Sequence, residues 1–289
     1  MIADRTWLRD GELAGMRYSL IAADKILSGT LGLRTGASTG SSLDFSDYRE
    51  YHPGDDLRRL DWNIYARSDK LTIKLFHEEV SPHVDIIIDT SASMAVDANE
   101  KNRATAWLAA LLWTAAQNGE CTATAWSIAD TIRQLGEPAR PPSEWKEFSF
   151  KNGIDPLRTL NATGNIWKRN GIRFLISDLL WQGEPSRAIK QLCENAAQVI
   201  VIQLLADDDI NPPPIGRWQL IDSEKNSTLD IFIDAATQSK YRNTLQKLQL
   251  QWRNSCRQHG AHFTTISAKE LLKSGHPQTL EKMGIISLE

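Results

Sequence analysis

The sequence predicts an α/β protein with a mostly parallel sheet that is covered by helices on both faces. Three observations predict this class. From about residue 84 onward, short apolar runs alternate with segments of helical length, which is typical of parallel sheets. The strand-like runs are short and rich in β-branched residues, as in Val84 to Ile88, so they predict buried strands. Two of these runs end abruptly in an acid, at Asp89 and at Asp178.

An N-terminal block precedes this pattern, so we expect two domains, residues 1–80 and 81–289. Apolar side chains recur at helical spacing over residues 10–28, which predicts an amphipathic helix. They are Leu13, Met16, Leu20, Ala23 and Leu27. Residues 29–42 are rich in Gly, Ser and Thr but lack the Gly-Lys-Ser/Thr ending of a phosphate loop, so we expect a flexible loop or hairpin. Residues 71–76 alternate apolar and polar, which predicts a half-buried strand and a small β-rich element.

The main domain continues with strands and helices in alternation. The predicted strands are 84–89, 121–127, 130–135, 172–177, 198–204 and 261–266. The predicted helices are 100–118, 185–195 and 235–258. Residues 218–222 are predicted to form a hairpin with residues 228–233. The segment 136–145 carries three prolines, so it is predicted to be a loop.

Polar side chains follow two of these strands at the point where each strand ends. Asp89, Ser91 and Ser93 stand at two-residue steps after the first strand, and Asp178 follows a later one. Ligands bind at the carboxyl ends of strands in open α/β sheets, so the side chains meet if the strands are neighbours. Carboxylate and hydroxyl oxygens suit Mg²⁺, with Mn²⁺ or Ca²⁺ as alternatives. Each acid alone would also be explained by a turn or a helix cap.

A second group of charged and aromatic residues lies in the β-rich element. Its members are Asp55, Asp56, Arg58, Asp61, Trp62 and Arg67. One interpretation is a docking surface or an auxiliary site. The other, which we favour, is a buried network of ion pairs and caps that fixes the element to the main sheet, since charges interleaved with Trp and Leu commonly pair locally.

Composition and charge argue against several classes of protein. The net charge of −3 over 289 residues gives no support for a nucleic-acid partner. The sequence contains no apolar run of membrane-spanning length and no apolar stretch of a signal peptide at its N-terminus. Its three cysteines are widely separated, which is typical of reduced thiols. We therefore expect a cytoplasmic protein without a membrane span.

Two motifs of the chain resemble those of a known family. The run from Tyr51 to Trp62, followed by Ala66 and Arg67, looks like the signature of the DUF58 family. Ile88 to Met94 looks like the metal-ion-dependent adhesion motif of the von Willebrand factor A domain that this family carries. The resemblance implies an A-like fold and a non-enzymatic role in protein interaction. It also implies a partnership with a MoxR-type AAA+ ATPase. In this kind of site, the cation accepts an acidic side chain of a protein ligand.

One position departs from the pattern of the family. The A-domain site takes a further threonine, often within Gly-Gly-Thr, but residues 152–155 are Asn-Gly-Ile-Asp. Ile154 has no side-chain ligand atom, which leaves Asp155 and Thr159 as candidate substitutes.

Two alternatives to a metal-dependent interaction module stay open. The first is a Mg²⁺-dependent phosphatase-like hydrolase, because an acid after a strand also occurs in haloacid-dehalogenase phosphatases. Ser91 stands where those enzymes need a second acid, so the usual general acid is missing. The second alternative is a structural adaptor with an empty metal site.

Overall fold

The computed structural model describes most of the chain. The described residues are 5–21, 45–76, 82–95, 100–137, 140–145, 148–150, 156–164, 166–221 and 228–289. The chain divides into two compact units, a large one of residues 1–29 with 82–289 and a small one of residues 30–81. This division differs from the predicted boundary at residue 80, because the N-terminal helix packs within the large unit. The loop or hairpin predicted over residues 29–42 lies outside the described residues.

Strands and helices alternate along the described residues much as the sequence predicts. The strands are β1 (Tyr18–Leu20), β2 (Phe45–Glu50), β3 (Thr72–Phe76), β4 (His83–Asp89), β5 (Thr122–Ile128), β6 (Ile132–Leu135), β7 (Gly171–Ser177), β8 (Ala196–Leu205), β9 (Gly216–Ile221), β10 (Thr228–Ile233), β11 (His262–Ser267) and β12 (Ile286–Leu288). The helices are α1 (Arg5–Gly15), α2 (Trp62–Ser68), α3 (Lys101–Asn118), α4 (Pro156–Ala162), α5 (Ser186–Cys193), α6 (Asp207–Ile210), α7 (Ala235–His259), α8 (Ala268–Ser274) and α9 (Gln278–Lys282).

The centre of the large unit is a six-stranded sheet in the order β11-β8-β7-β4-β5-β6. Neighbouring strands are parallel except for β6, which pairs antiparallel to β5 at one edge. The chain passes from β4 through α3 to β5 on one side, and later returns to place β7 on the other side of β4. The strand order therefore reverses between β4 and β7, which is the switch point of the sheet. The predicted mixed α/β class with a mostly parallel sheet is confirmed.

Both faces of the sheet are buried. Ile86 and Ile88 of β4 belong to a core cluster with α3, whereas Ile87 belongs to a second cluster with Trp252 of α7. Successive side chains of a strand point to opposite faces, so both neighbours of Ile87 are buried on the other side. This explains why β4 is apolar at consecutive positions rather than at alternate ones.

The N-terminal helix is shorter than predicted and buries a different face. In the described part of the predicted helix, the chain forms α1, which ends at Gly15, and then β1, which pairs antiparallel with β12. Residues 22–28 of the prediction, with Ala23 and Leu27, lie outside the described residues. Leu13 and Met16 are 54% and 62% exposed, whereas Leu8, Gly11 and Gly15 are buried. A side chain at Gly11 would stand 2.3 Å from the carbonyl oxygen of Trp107 in α3. The two helices thus approach through glycines, which a search for large apolar side chains does not detect.

The small unit is built on the antiparallel pair of β2 and β3. The predicted strand over residues 71–76 corresponds to β3. An isolated bridge joins Leu60 to Ile73, and α2 begins directly after Asp61.

The predicted hairpin and long helix are also present in the large unit. β9 and β10 pair antiparallel over their whole length, and α7 is capped at its C-terminal end by Gly260, which adopts φ +77°. Of the helices in the described ranges, none combines the length and the apolar character that crossing a membrane requires.

Candidate functional site

The ends of β4 and β7 lie side by side at the carboxyl edge of the sheet. The two strands are parallel neighbours, and Ile88 pairs with Ile176. The residues that follow these positions, Asp89 and Asp178, therefore reach the same edge. The expectation that the two strand ends meet is confirmed.

Asp89 is fully buried, and protein donors surround its carboxylate. One oxygen, Oδ2, accepts hydrogen bonds from the Ser177 hydroxyl at 2.6 Å and from the Trp181 indole N–H at 3.0 Å. The other, Oδ1, accepts from the backbone N–H of Ser91 at 2.8 Å. Burial and, next, the nearby charge of Asp178 raise the pKa of Asp89 to about 6, because both disfavour the ionised form.

The turn after β4 carries the two serines. The Ser91 and Ser93 hydroxyl oxygens lie 3.1 Å apart. Two adjacent ligands of an octahedral Mg²⁺, each at roughly 2.1 Å from the ion, are about 3 Å apart, so the spacing of the hydroxyls suits such an ion. Met94 fixes this turn to β7, because its sulfur accepts the backbone N–H of Asp178 at 3.3 Å.

The backbone around Asp178 is held at several points. Its carbonyl oxygen accepts from the Gln203 side chain at 3.0 Å, and its Oδ1 accepts from the Leu180 N–H at 3.1 Å. Leu179 adopts φ +55°, a left-handed conformation that costs an ordinary residue roughly 1–2 kcal/mol. The Leu179 N–H donates to the Ser177 hydroxyl and its carbonyl accepts from Trp252. These bonds stabilise the sharp turn that presents the Asp178 side chain.

A lysine neutralises part of the negative charge at this edge. The Lys101 ammonium, at the start of α3, lies 2.9 Å from Asp178 Oδ2 and 2.9 Å from Asp209 Oδ2. Burial lowers the pKa of Lys101, but the charges of Asp178 and Asp209 outweigh this effect and leave the pKa above its ordinary value. The ammonium is therefore a fixed positive charge between two acids.

Of the two candidate substitutes for the missing threonine, the structure describes only Thr159. The Thr159 hydroxyl donates to the Ala129 carbonyl at 2.7 Å, one residue beyond β5. Asp155 and Ile154 lie outside the described residues. In the part of the chain that the structure describes, no three His, Cys, Asp or Glu side chains converge as a metal-binding set. Hydroxyl oxygens would therefore have to be part of any metal site there.

The acids of the second group cap and pair locally, as we favour. Asp55 accepts two hydrogen bonds from the Arg49 guanidinium, at 2.8 and 2.6 Å. Asp56 accepts from the Arg58 N–H at 3.0 Å. Asp61 caps α2, accepting from two backbone N–H groups at 2.8 and 3.1 Å.

The expectation of a buried network is wrong for Asp56, which is exposed, and for the rest of this group. Trp62 is 63% exposed, and Arg58 and Arg67 are exposed as well. Only the acids of this group take part in the helix caps, because a capping carboxylate accepts hydrogen bonds from backbone N–H groups at the start of the helix. The interleaved aromatic and basic side chains are thus free to face solvent.

Four contributors to the site were missed from the sequence: Ser177, Trp181, Lys101 and Asp209. Ser177 had a signal, since it is a polar residue that follows the apolar run Phe174 to Ile176 at the end of β7. Lys101 stands in a charged segment with Glu100 and Arg103 that resembles an ordinary solvated helix start. Trp181 and Asp209 reach the site only through the tertiary fold.

Comparison with known proteins finds relatives in mycobacteria. An uncharacterized protein of Mycobacterium tuberculosis is 26% identical over 245 residues, which cover 79% of this chain and 76% of the relative. A counterpart from Mycobacterium bovis matches with the same identity and coverage.

Three solved structures are also similar. BatB from Bacteroides thetaiotaomicron is 11% identical, with a TM-score of 0.35 over 70% of this chain and 98% of that one. An aerotolerance-related membrane protein from Bacteroides fragilis is 14% identical, with a TM-score of 0.36 over 70% and 100%. A membrane spanning protein from Vibrio fischeri is 15% identical, with a TM-score of 0.17 over 70% and 98%. Two of the three are described as membrane proteins. The cytoplasmic location expected from the sequence is not retained.

A family model matches residues 47–251, a span that begins in β2 and ends near the C-terminal part of α7. It includes the capped turns of the small unit and both acidic strand ends of the large one. The matching family is described as "Protein of unknown function DUF58", and because the match covers well over half of the chain, this protein belongs to the DUF58 family.

Proposed function

We propose that the large unit is a von Willebrand A-like interaction module, without enzymatic activity, that binds a partner protein through a divalent cation at the carboxyl edge of its sheet. The observation that carries the proposal is the meeting of the two strand ends. The proposed site draws on two segments that are far apart in sequence, one with Asp89, Ser91 and Ser93 and the other with Asp178. These residues form one group through the hydrogen bonds of Ser177, Ser91 and Met94.

The serine hydroxyls are the groups that would contact the cation directly. Both oxygens of Asp89 already accept hydrogen bonds from the protein, so this carboxylate would act through water and by its charge. Asp178 would act in the same way. A bound Mg²⁺, Mn²⁺ or Ca²⁺ supplies positive charge and an open coordination position that an acidic side chain of the partner can fill.

The proposed partner is a MoxR-type AAA+ ATPase. Membership of the DUF58 family supports this choice, since the resemblance of the signature and the A-domain motif implies it. The role that follows is the assembly or activation of other proteins together with the ATPase.

The surroundings of Asp89 favour an interaction site over the phosphatase-like alternative. A carboxylate nucleophile needs an oxygen that can reach a substrate, but Asp89 is fully buried and protein donors contact both its oxygens. Ser91, rather than an acid, stands two residues later. The adaptor alternative, with an empty metal site, receives support from Lys101, which already pairs with Asp178.

The test measures binding of the purified chain to the MoxR-type ATPase of the same organism, in Mg²⁺ and in EDTA. We expect at least a tenfold loss of affinity in EDTA, and the same loss in Mg²⁺ for the double variant Ser91→Ala, Ser93→Ala. Ser127→Ala, on the neighbouring strand, is the matched control and should bind as the wild type does. Equal affinity in Mg²⁺ and EDTA would refute the cation-dependent module and favour the adaptor. Phosphatase activity that disappears in Asp89→Asn would refute the non-enzymatic role.

A further inference from the structure

Lys101 lies inside the acidic edge rather than on the surface. Its side chain is only 3% exposed, and its ammonium lies 2.9 Å from one oxygen of Asp178 and 2.9 Å from one oxygen of Asp209. Burying an ammonium is unfavourable unless it is paired, and here two acids pair with it. The same oxygen of Asp209 accepts the Ala206 N–H at 2.9 Å.

This bridge connects three elements at the edge of the sheet. Lys101 begins α3, Asp178 follows β7, and Asp209 belongs to α6, directly after β8. The ammonium therefore occupies a position of high negative potential that a metal ion would also favour. Asp89, Asp178 and Asp209 carry three negative charges when ionised against one positive charge on Lys101, so the net charge of these four residues still favours a further cation at this edge.

We propose that Lys101 is an internal cation that competes with a divalent cation for Asp178, and that this competition couples occupancy of the site to the segment carrying Asp209. The inference rests on the proposed cation site and adds its regulation. Two cations that share one carboxylate repel each other, and the attraction of Asp178 is divided between them. The wild-type site thus binds a divalent cation more weakly than a site without the ammonium, and a bound cation loosens the Lys101–Asp209 link.

The position of Asp178 does not depend on Lys101 alone. Gln203 donates to the Asp178 carbonyl, and Gln249 in turn donates to Gln203 at 2.9 Å. The Leu180 N–H holds the other carboxylate oxygen. A variant that lacks the ammonium should therefore keep Asp178 in place, so a change in cation affinity reports a change of charge rather than a displaced side chain.

The test compares Mn²⁺ binding to the full chain, measured from the spectrum of free Mn²⁺, in wild type and Lys101→Met. We expect the dissociation constant to fall at least tenfold in Lys101→Met. Lys101→Gln, which can still donate a hydrogen bond to Asp178, provides a second neutral variant in case the methionine disturbs folding. Lys269→Met is the matched control, because Lys269 pairs with Asp207 of α6 but is 58% exposed. It should bind Mn²⁺ within about twofold of wild type, since an exposed pair is screened by solvent.

Hydrogen exchange provides the second measurement. Mg²⁺ should speed exchange of the α6 amides in wild type and leave them unchanged in Lys101→Met. If both neutral variants bind Mn²⁺ as wild type does or more weakly, Lys101 does not compete with the divalent cation. If Mg²⁺ does not change hydrogen exchange in α6, the site is not coupled to the segment that carries Asp209. If Ser91→Ala, Ser93→Ala abolishes binding while the Lys101 variants match wild type, only the role of Lys101 fails. If no form of the chain binds Mn²⁺, the proposed cation site fails and the role of Lys101 fails with it.

Discussion

The Ser177 hydroxyl donates a hydrogen bond of 2.6 Å to the Asp89 carboxylate and so joins the ends of β7 and β4. The same hydroxyl accepts the N–H of Leu179, the residue in the left-handed conformation. A single side chain therefore satisfies a buried carboxylate and supports the turn that presents Asp178.

Replacing Ser177 with Ala should destabilise the large unit. The change leaves one acceptor site of Asp89 and one backbone N–H without their partner, and an unsatisfied buried group costs about 1–3 kcal/mol. Urea unfolding measures the loss as a lower midpoint with an unchanged slope. Ser127→Ala on β5 is the control, because its hydroxyl makes only an exposed contact of 3.4 Å and should change stability by less than about 0.5 kcal/mol. Equal stability of the two variants would contradict the role given to Ser177.

Replacing Gly11 with Ala should weaken the packing of α1 against α3. By helix propensity alone, alanine would be favoured by about 1 kcal/mol. The added methyl group would, however, stand 2.3 Å from the Trp107 carbonyl oxygen and 2.8 Å from the Ala110 side chain, and overpacking typically costs about 1–3 kcal/mol. We expect the sign to be destabilising, with faster hydrogen exchange in α1.

Gly164→Ala tests whether this effect comes from crowding. A side chain at Gly164 would meet no atom within 4 Å, so this variant should be as stable as wild type or slightly more stable. A stabilised Gly11→Ala protein would mean that α1 does not pack through its glycines.

Replacing Asp61 with Ala should destabilise the start of α2 in the small unit, because the helix loses its N-cap. The carboxylate accepts two backbone N–H groups at the helix start, the Tyr48 hydroxyl at 3.2 Å and the Lys74 ammonium at 3.1 Å. Loss of an N-cap typically costs about 1 kcal/mol, so the α2 amides should exchange faster. Asp61→Asn retains a capping oxygen and should recover most of the protection. If Asn is as damaging as Ala, the ion pair with Lys74 matters more than the cap.

The strands of the large sheet were predictable because their sequence pattern is local. Runs such as Val84 to Ile88 are buried on both faces and contain consecutive β-branched residues, which few other structures explain. The contact face of α1 was not predictable, since Gly11 and Gly15 pack by the absence of a side chain. Leu13 and Met16 have the spacing of a core face and are nevertheless exposed.

The candidate site was predictable only as far as its acids and hydroxyls. Asp89, Ser91 and Ser93 are close in sequence, and the end of a second apolar strand indicated Asp178. The Lys101–Asp178 pair spans 77 residues, and no spacing rule connects a lysine at a helix start to an acid at a strand end. Charged side chains near helix starts are usually solvated, so the burial of Lys101 follows from the fold alone.

The buried Asp89 carboxyl should make stability depend on pH between about 4 and 7. Burial and the charge of Asp178 raise its pKa from 3.8 to about 6 in the folded protein. A raised pKa means that the folded state binds the proton more tightly than the unfolded state, so this contribution is fully present below about pH 4 and is lost as the pH rises through about 6. Two pKa units correspond to roughly 3 kcal/mol at most. This loss of stability should be absent in Asp89→Asn, which has no carboxyl group at this position. Urea unfolding of wild type and Asp89→Asn is measured from pH 4 to pH 8. As the pH rises, the free energy of unfolding of the wild type should fall relative to that of the variant. Parallel pH profiles would show that the pKa of Asp89 is the same in the folded and the unfolded protein.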